Sequence, residues 1–196
     1  MKEQSKIGNR KSEILFILGG ARSGKSTFAE GLAKRRAGDA VLFLATAEAF
    51  DDEMRARIAK HRAERPASWQ TLEAPREILD ALRHWEAMPR LILLDCLTLW
   101  VTNELLANEN DLESRLACQL DMLVEWARLQ NIDLILVSNE VGLGIVPDNE
   151  LSRTFRDVLG RINARAAQAA DQVFWMVAGI PMEVKGRANL GMRDEG

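Results

Sequence analysis

Eight residues, Gly19-Gly20-Ala21-Arg22-Ser23-Gly24-Lys25-Ser26, constrain this chain more than any other stretch: they fit the pattern GxxxxGKS and lie between an apolar run and a helix-period segment. A glycine-rich turn in that place lets successive backbone amides converge on one anion, while the helix behind it adds its positive end. In that geometry Lys25 reaches the β- and γ-phosphates and the Ser26 hydroxyl is a ligand for Mg2+. The segment therefore predicts a strand, a phosphate-binding loop and a helix in direct succession, and a nucleoside triphosphate as ligand.

The same alternation runs on through the chain. Apolar runs at residues 14–18, 41–45, 91–94, 134–137 and 173–177 are short and not polar-alternating, as expected of strands buried on both faces, and 69–72 is a weaker sixth. Helix-period segments occupy 25–36, 51–62, 76–85, 111–129 and 149–170, with Asp51 placed to cap the second. The pattern predicts an α/β fold of the P-loop NTPase type, a mostly parallel central sheet with helices on both faces. A single catalytic domain is expected over 13–186, between a polar extension at 1–12 and a polar tail at 187–196.

Charge and composition exclude other classes of function. Lys plus Arg number 26 against 29 Asp plus Glu, a net charge of -3, so no cationic field exists to gather nucleic acid or anionic lipid. No apolar run approaches the roughly 20 residues of a membrane-spanning helix, and residues 1–12 lack the apolar core of a secretory signal. A cytoplasmic protein without nucleic-acid or membrane partners is expected. Two cysteines, Cys96 and Cys118, make neither a disulfide framework nor a four-ligand metal site, and both are expected to be buried thiols.

Three further features carry chemistry. Asp95 ends the run 91–94, and a carboxylate at the carboxyl edge of a parallel strand is where the second group that positions Mg2+ sits in such enzymes. His61 lies seven residues after Met54 and three after Ile58, which places it on their face and turns it toward the sheet. Arg62 and Arg65 follow it, a small basic cluster suited to a triphosphate. On spacing alone His61 is either a packing residue or a nucleophile toward phosphorus. His84, near a helix end, is given no role. The string Ser138-Asn139-Glu140 reads as a loop at the ligand edge of the sheet, and no Asn-Lys pair exists to form the base-reading motif of a guanine switch.

Taken together, the motifs resemble a known family. Gly19 to Ser26, Ala45-Thr46-Ala47, Asp51-Asp52-Glu53-Met54, Arg57-Ile58, His61-Arg62, Arg65-Pro66, Trp69, Thr71 and Glu73 follow one another as in the bifunctional adenosylcobinamide kinase / adenosylcobinamide-phosphate guanylyltransferase of cobalamin biosynthesis. The likeness continues through Asp95-Cys96-Leu97-Thr98, Thr102-Asn103, Ser138-Asn139-Glu140-Val141-Gly142, Gly144-Ile145-Val146-Pro147, Arg153, Phe155-Arg156-Asp157, Gly160-Arg161, Asn163 and Ala170-Asp171. Residues 1–12 and the tail after Gly186 depart from the pattern without touching a motif.

The resemblance implies two reactions: phosphorylation of the hydroxyl on the aminopropanol arm of adenosylcobinamide by ATP or GTP, then transfer of GMP from GTP onto that phosphate. It implies that His61 carries the guanylyl group as a covalent intermediate. It implies nucleotide contacts from Gly19, Gly20, Ala21, Arg22, Ser23, Gly24, Lys25, Ser26, Ala45, Thr46 and Ala47, and from Arg62, Ala63, Glu64, Arg65, Glu73 and Asp95. It further implies Mg2+, held through Ser26 and Asp95, and a homo-oligomer, commonly a trimer. Two other readings of the same loop are a plain small-molecule kinase, which leaves His61 without a task, and a nucleotide-responsive regulator.

Overall fold

The computed structural model describes residues 11–49, 52–107 and 110–186. In chain order the strands are β1 (Ile14–Gly19), β2 (Val41–Ala45), β3 (Gln70–Glu73), β4 (Leu91–Asp95), β5 (Asp133–Asn139), β6 (Gln172–Val177) and β7 (Ile180–Lys185). The helices are α1 (Lys25–Ala37), α2 (Asp52–Glu64), α3 (Ile78–Arg83), α4 (Leu97–Leu106), α5 (Leu112–Leu129) and α6 (Glu150–Ala169). All the strands form one sheet in the order β3-β2-β4-β5-β1-β6-β7, and every neighbouring pair is parallel except β6 and β7. The expected mostly parallel sheet is present.

Alternate side chains of each central strand feed two separate cores, as the two-residue period of a strand requires. Ile14, Phe16, Leu42, Leu44, Ile92 and Leu94 pack with residues of α3, α4, α5 and α6. Leu15, Ile17, Val41, Phe43, Leu91 and Leu93 pack on the other face with Ala29 and Ala33 of α1. Trp100 is 1% exposed and belongs wholly to the first core.

Several boundaries differ from the sequence reading. Strands β1, β4 and β5 run past their apolar stretches to Gly19, Asp95 and Asn139, because the hydrogen-bond ladder continues where hydrophobicity stops. Helix α3 is shorter than 76–85, since Glu77 has φ 47 and the left-handed region cannot continue a helix. Helix α4 was not anticipated: Leu97, Trp100 and Val101 are buried along with Thr98, Asn103 and Glu104, so no polar face marks its period. Strand β7 was also missed. Pro181 argues against a strand, yet β7 is the sheet edge, where proline costs no ladder bond, and its turn uses Ala178 and Gly179 at φ 50 and 84. The proposed cap Asp51 lies outside the described residues, whereas Asn149 caps α6 by accepting the Ser152 amide at 2.8 Å.

One cysteine assignment is corrected. Cys96 is buried, but Cys118 is exposed on α5, because the inward stripe of that helix is Leu116, Leu120 and Leu123. Burial and the neighbouring Asp95 charge push the Cys96 thiol up to about 11, so it is protonated at neutral pH and a poor nucleophile. A maleimide applied to the folded protein is expected to modify Cys118 alone, with Cys96 reacting only in denaturant. Peptide mass spectrometry reads both, and native labelling of Cys96 would contradict this packing.

Candidate active site

The loop from Gly19 to Ser26 joins β1 to α1, as its sequence requires. Gly24 occupies the N-cap of α1 with φ 86, no side chain caps the helix, and no acid stands in its first turn. The positive end of the helix is thereby left facing the loop's concavity, the arrangement that receives phosphate. Lys25 folds back so that its Nζ donates to the Gly20 carbonyl at 3.4 Å. Arg22 takes φ 57, and the Ser23 amide donates to Gly20 O at 3.3 Å.

Two glycines are dictated by close approach. A Cβ on Gly19 would stand 2.6 Å from Ser23 Oγ and 2.9 Å from Met176 O, and one on Gly24 would stand 3.3 Å from Gly179 Cα in a backbone conformation L side chains resist. The β6–β7 turn braces the loop from outside, its Gly179 amide donating to Ser23 O at 3.0 Å. Sequence reasoning missed this brace because the turn depends on Ala178 in the left-handed region.

Asp95 closes β4 beside the loop. Burial raises its pKa above the usual carboxylate range, while a hydrogen bond from Ser26 and the charges of Lys25, His61 and Arg65 pull it down. Those four partners place the loop, the β4 edge and the end of α2 around one carboxylate. The Ser26 hydroxyl and the Asp95 carboxylate are hard oxygen donors, and two protein oxygens suit Mg2+, which keeps most of its shell for water and substrate phosphates.

His61 is half-buried in the last turn of α2, and Ile58, three residues before it, is half-buried too; Met54 is described only in its backbone. Arg65 lies just past α2 with its guanidinium 3.3 Å from the Phe43 ring centroid, so β2 fixes its direction. Burial lowers its pKa from the ordinary arginine value, opposed by Asp95, Glu30 and Glu73 and reinforced by Arg62. Arg62 reaches Glu73 at the end of β3, 3.5 Å away with both side chains exposed, so the pair itself adds little stability. Ala63 is exposed and Glu64 is the last residue of α2.

Of the segment Ala45 to Ala47, Thr46 is fully buried and fully engaged. Its hydroxyl donates to Cys96 O at 2.7 Å and accepts the Cys96 amide at 2.8 Å. Its amide donates to Asp95 O at 3.4 Å and its carbonyl accepts Asn103 Nδ2 at 2.8 Å. Thr46 thus acts on the turn that carries Asp95. His84 bonds to the Asp80 carbonyl through Nδ1 at 2.7 Å as the C-cap of α3.

A family model described as cobinamide kinase / cobinamide phosphate guanyltransferase matches residues 15–184, which include the loop, His61 and Asp95. The chain belongs to this family. Among its relatives, the bifunctional adenosylcobalamin biosynthesis protein CobP of Pseudomonas aeruginosa is 48% identical over 171 residues, covering 87% of this chain and 96% of that one. The bifunctional adenosylcobalamin biosynthesis protein CobU of Salmonella typhimurium is 44% identical over 185 residues, covering 88% and 99%. Among solved structures, the flagellar accessory protein FlaH from Methanocaldococcus jannaschii has a TM-score of 0.46 at 14% identity over 91% of this chain and 80% of that one, too distant to bear on the site.

The raised pKa of Asp95 has a sign that can be tested. A carboxyl that binds its proton more tightly when folded destabilises the fold when ionised, so the penalty is complete above its folded-state pKa and disappears below its unfolded value, about 4. Asp95→Asn is expected to raise the thermal midpoint of the nucleotide-free protein at pH 7, by about 2–4 °C for each ~1 kcal/mol of penalty removed. The gain should shrink toward pH 4 while catalytic activity is lost. Calorimetry across that range checks it, and a lower midpoint at pH 7 would oppose it.

Proposed function

We propose that the protein phosphorylates the aminopropanol hydroxyl of adenosylcobinamide with ATP or GTP, then transfers GMP from GTP to that phosphate through a guanylyl-His61 intermediate, giving adenosylcobinamide-GDP. The observation that carries this reading is the position of His61: it stands half-buried in the last turn of α2, within electrostatic reach of Asp95, whose carboxylate accepts a hydrogen bond from Ser26. A plain kinase has no use for a histidine there.

In the guanylyl step, an imidazole nitrogen of His61 attacks the α-phosphorus through its lone pair. The bond from that phosphorus to the bridging oxygen breaks, and pyrophosphate leaves with the electron pair. Lys25 and the loop amides hold the departing phosphates, and Arg65, kept in place by Phe43, adds fixed positive charge. The acceptor phosphate then attacks the same phosphorus, the P–N bond breaks and His61 is released. Splitting the transfer in two keeps the phosphorylated acceptor and the triphosphate from having to meet as polyanions.

Ser26 and Asp95 would hold Mg2+, which when bound offsets phosphate charge in both reactions. Gly19 to Gly24 cradle the phosphates, Ala45 to Ala47 line the nucleotide while Thr46 also holds the turn after Asp95, and Arg62, Ala63, Glu64 and Glu73 border the GTP. Exposed Ile180, Met182 and Val184 on the edge strand β7 support a homo-oligomer, a trimer by family resemblance. No described helix is long and apolar enough to cross a membrane.

Incubation with GTP labelled at the α-phosphorus, beside γ-labelled GTP, tests the nucleophile. The wild type is expected to retain α-label as an acid-labile, alkali-stable GMP adduct, and His61→Ala to retain none while still phosphorylating adenosylcobinamide. Absence of α-label on wild type that binds GTP would favour the plain kinase.

A further inference from the structure

The segment Ser138-Asn139-Glu140 is left without a task by the chemistry above, and its placement is specific. Strand β5 lies beside β1 with Asn139 in register with Gly19, and the Glu140 amide donates to Gly19 O at 3.0 Å. Glu140 is therefore tied to the first residue of the phosphate cradle. The backbone before it is clamped: the Asn139 amide donates to Thr98 Oγ1 at 2.8 Å, and Asn163 Nδ2 donates to Asn139 O at 3.1 Å.

The Glu140 side chain is held differently. Its Oε1 accepts the amide of Gly142, and among the described residues its carboxylate has no cationic partner. Glycine at 142 leaves room for this, since a Cβ there would come 2.9 Å from that oxygen. The loop beyond is open, with Leu143 78% and Ile145 97% exposed, so a bulky acceptor can approach.

The other carboxylates around the cradle are already engaged. Asp95 accepts a hydrogen bond from Ser26, Glu73 pairs with Arg62, and Glu30 acts on Arg65. Glu48 follows β2, which β4 and β5 separate from β1. Phosphorylating an alcohol requires somewhere for its proton to go, and His61 is reserved for the other reaction.

We propose that Glu140 is the general base of the phosphoryl-transfer step, an inference that rests on the kinase reading above. The acceptor oxygen bonds to the γ-phosphorus as its proton passes to the Glu140 carboxylate. The bond from the γ-phosphorus to the β-bridging oxygen breaks, and the nucleoside diphosphate leaves with that electron pair.

The test uses Glu140→Gln and Glu140→Ala, assayed for adenosylcobinamide phosphorylation and for α-labelling of His61, with the wild type in parallel. Glutamine keeps an oxygen for the Gly142 amide but cannot accept the proton; alanine removes both. Both variants are expected to lose at least about 100-fold in kcat for phosphorylation. The KM for nucleotide should stay within about threefold and the GMP label on His61 should remain. Phosphorylation by Glu140→Gln at close to the wild-type rate would overturn the proposal and leave Glu140 as a brace for its loop. Equal loss of His61 labelling in both variants would also overturn it, by showing a general distortion of the cradle. Failure of the wild type itself to phosphorylate adenosylcobinamide would instead overturn the kinase reading.

Discussion

A single carboxylate, Asp95, holds the two halves of this site together. It lies where the Ser26 hydroxyl, the Lys25 ammonium, His61 and Arg65 converge, and burial alone would make its charge costly. Its position depends on β4 standing inside a mostly parallel sheet, between β2 and β5, and on Thr46, which bonds to Cys96 through its hydroxyl and to Asp95 through its amide. If that anchor moves, the loop and the end of α2 lose their common reference point.

The arrangement also explains how one chain of modest size accommodates two phosphorus chemistries. In the proposed mechanism one glycine-rich loop takes the phosphates, the end of α2 carries His61 on the Asp95 side, and the β5 edge brings Glu140 in at Gly19. The proposed nucleophile and the proposed base therefore approach one cradle from different elements. The two proposed steps differ by two phosphate positions, the γ-phosphorus for the acceptor hydroxyl and the α-phosphorus for His61, and neither calls for a second cradle.

Much of the fold was legible because most strands are continuous apolar runs and the loop sits in register between β1 and α1. Helix α4 was hidden because burial on nearly every side erases its period, and β7 because Pro181 and Ala178 are atypical for a strand and a tight turn. Cys118 was misread because an apolar helix pattern does not reveal which stripe faces the core. At the site, the loop and Asp95 could be found from local pattern alone. The place of His61 could not, since the same spacing suits a packing residue; its reading as a nucleophile rests on the resemblance of the ordered motifs. The support from Thr46, the Gly179 brace and the Glu140 contact to Gly19 are long-range pairings that leave no local signal.

The central claim is that both reactions use the one phosphate cradle, and Lys25→Ala tests it most directly. The variant should be compared with wild type for α-labelling of His61 by GTP and for phosphorylation of adenosylcobinamide, with its fold verified by its thermal midpoint. A shared cradle predicts that both fall together, each by about 100-fold or more. Full His61 labelling alongside abolished phosphorylation would contradict the claim and require a second nucleotide site.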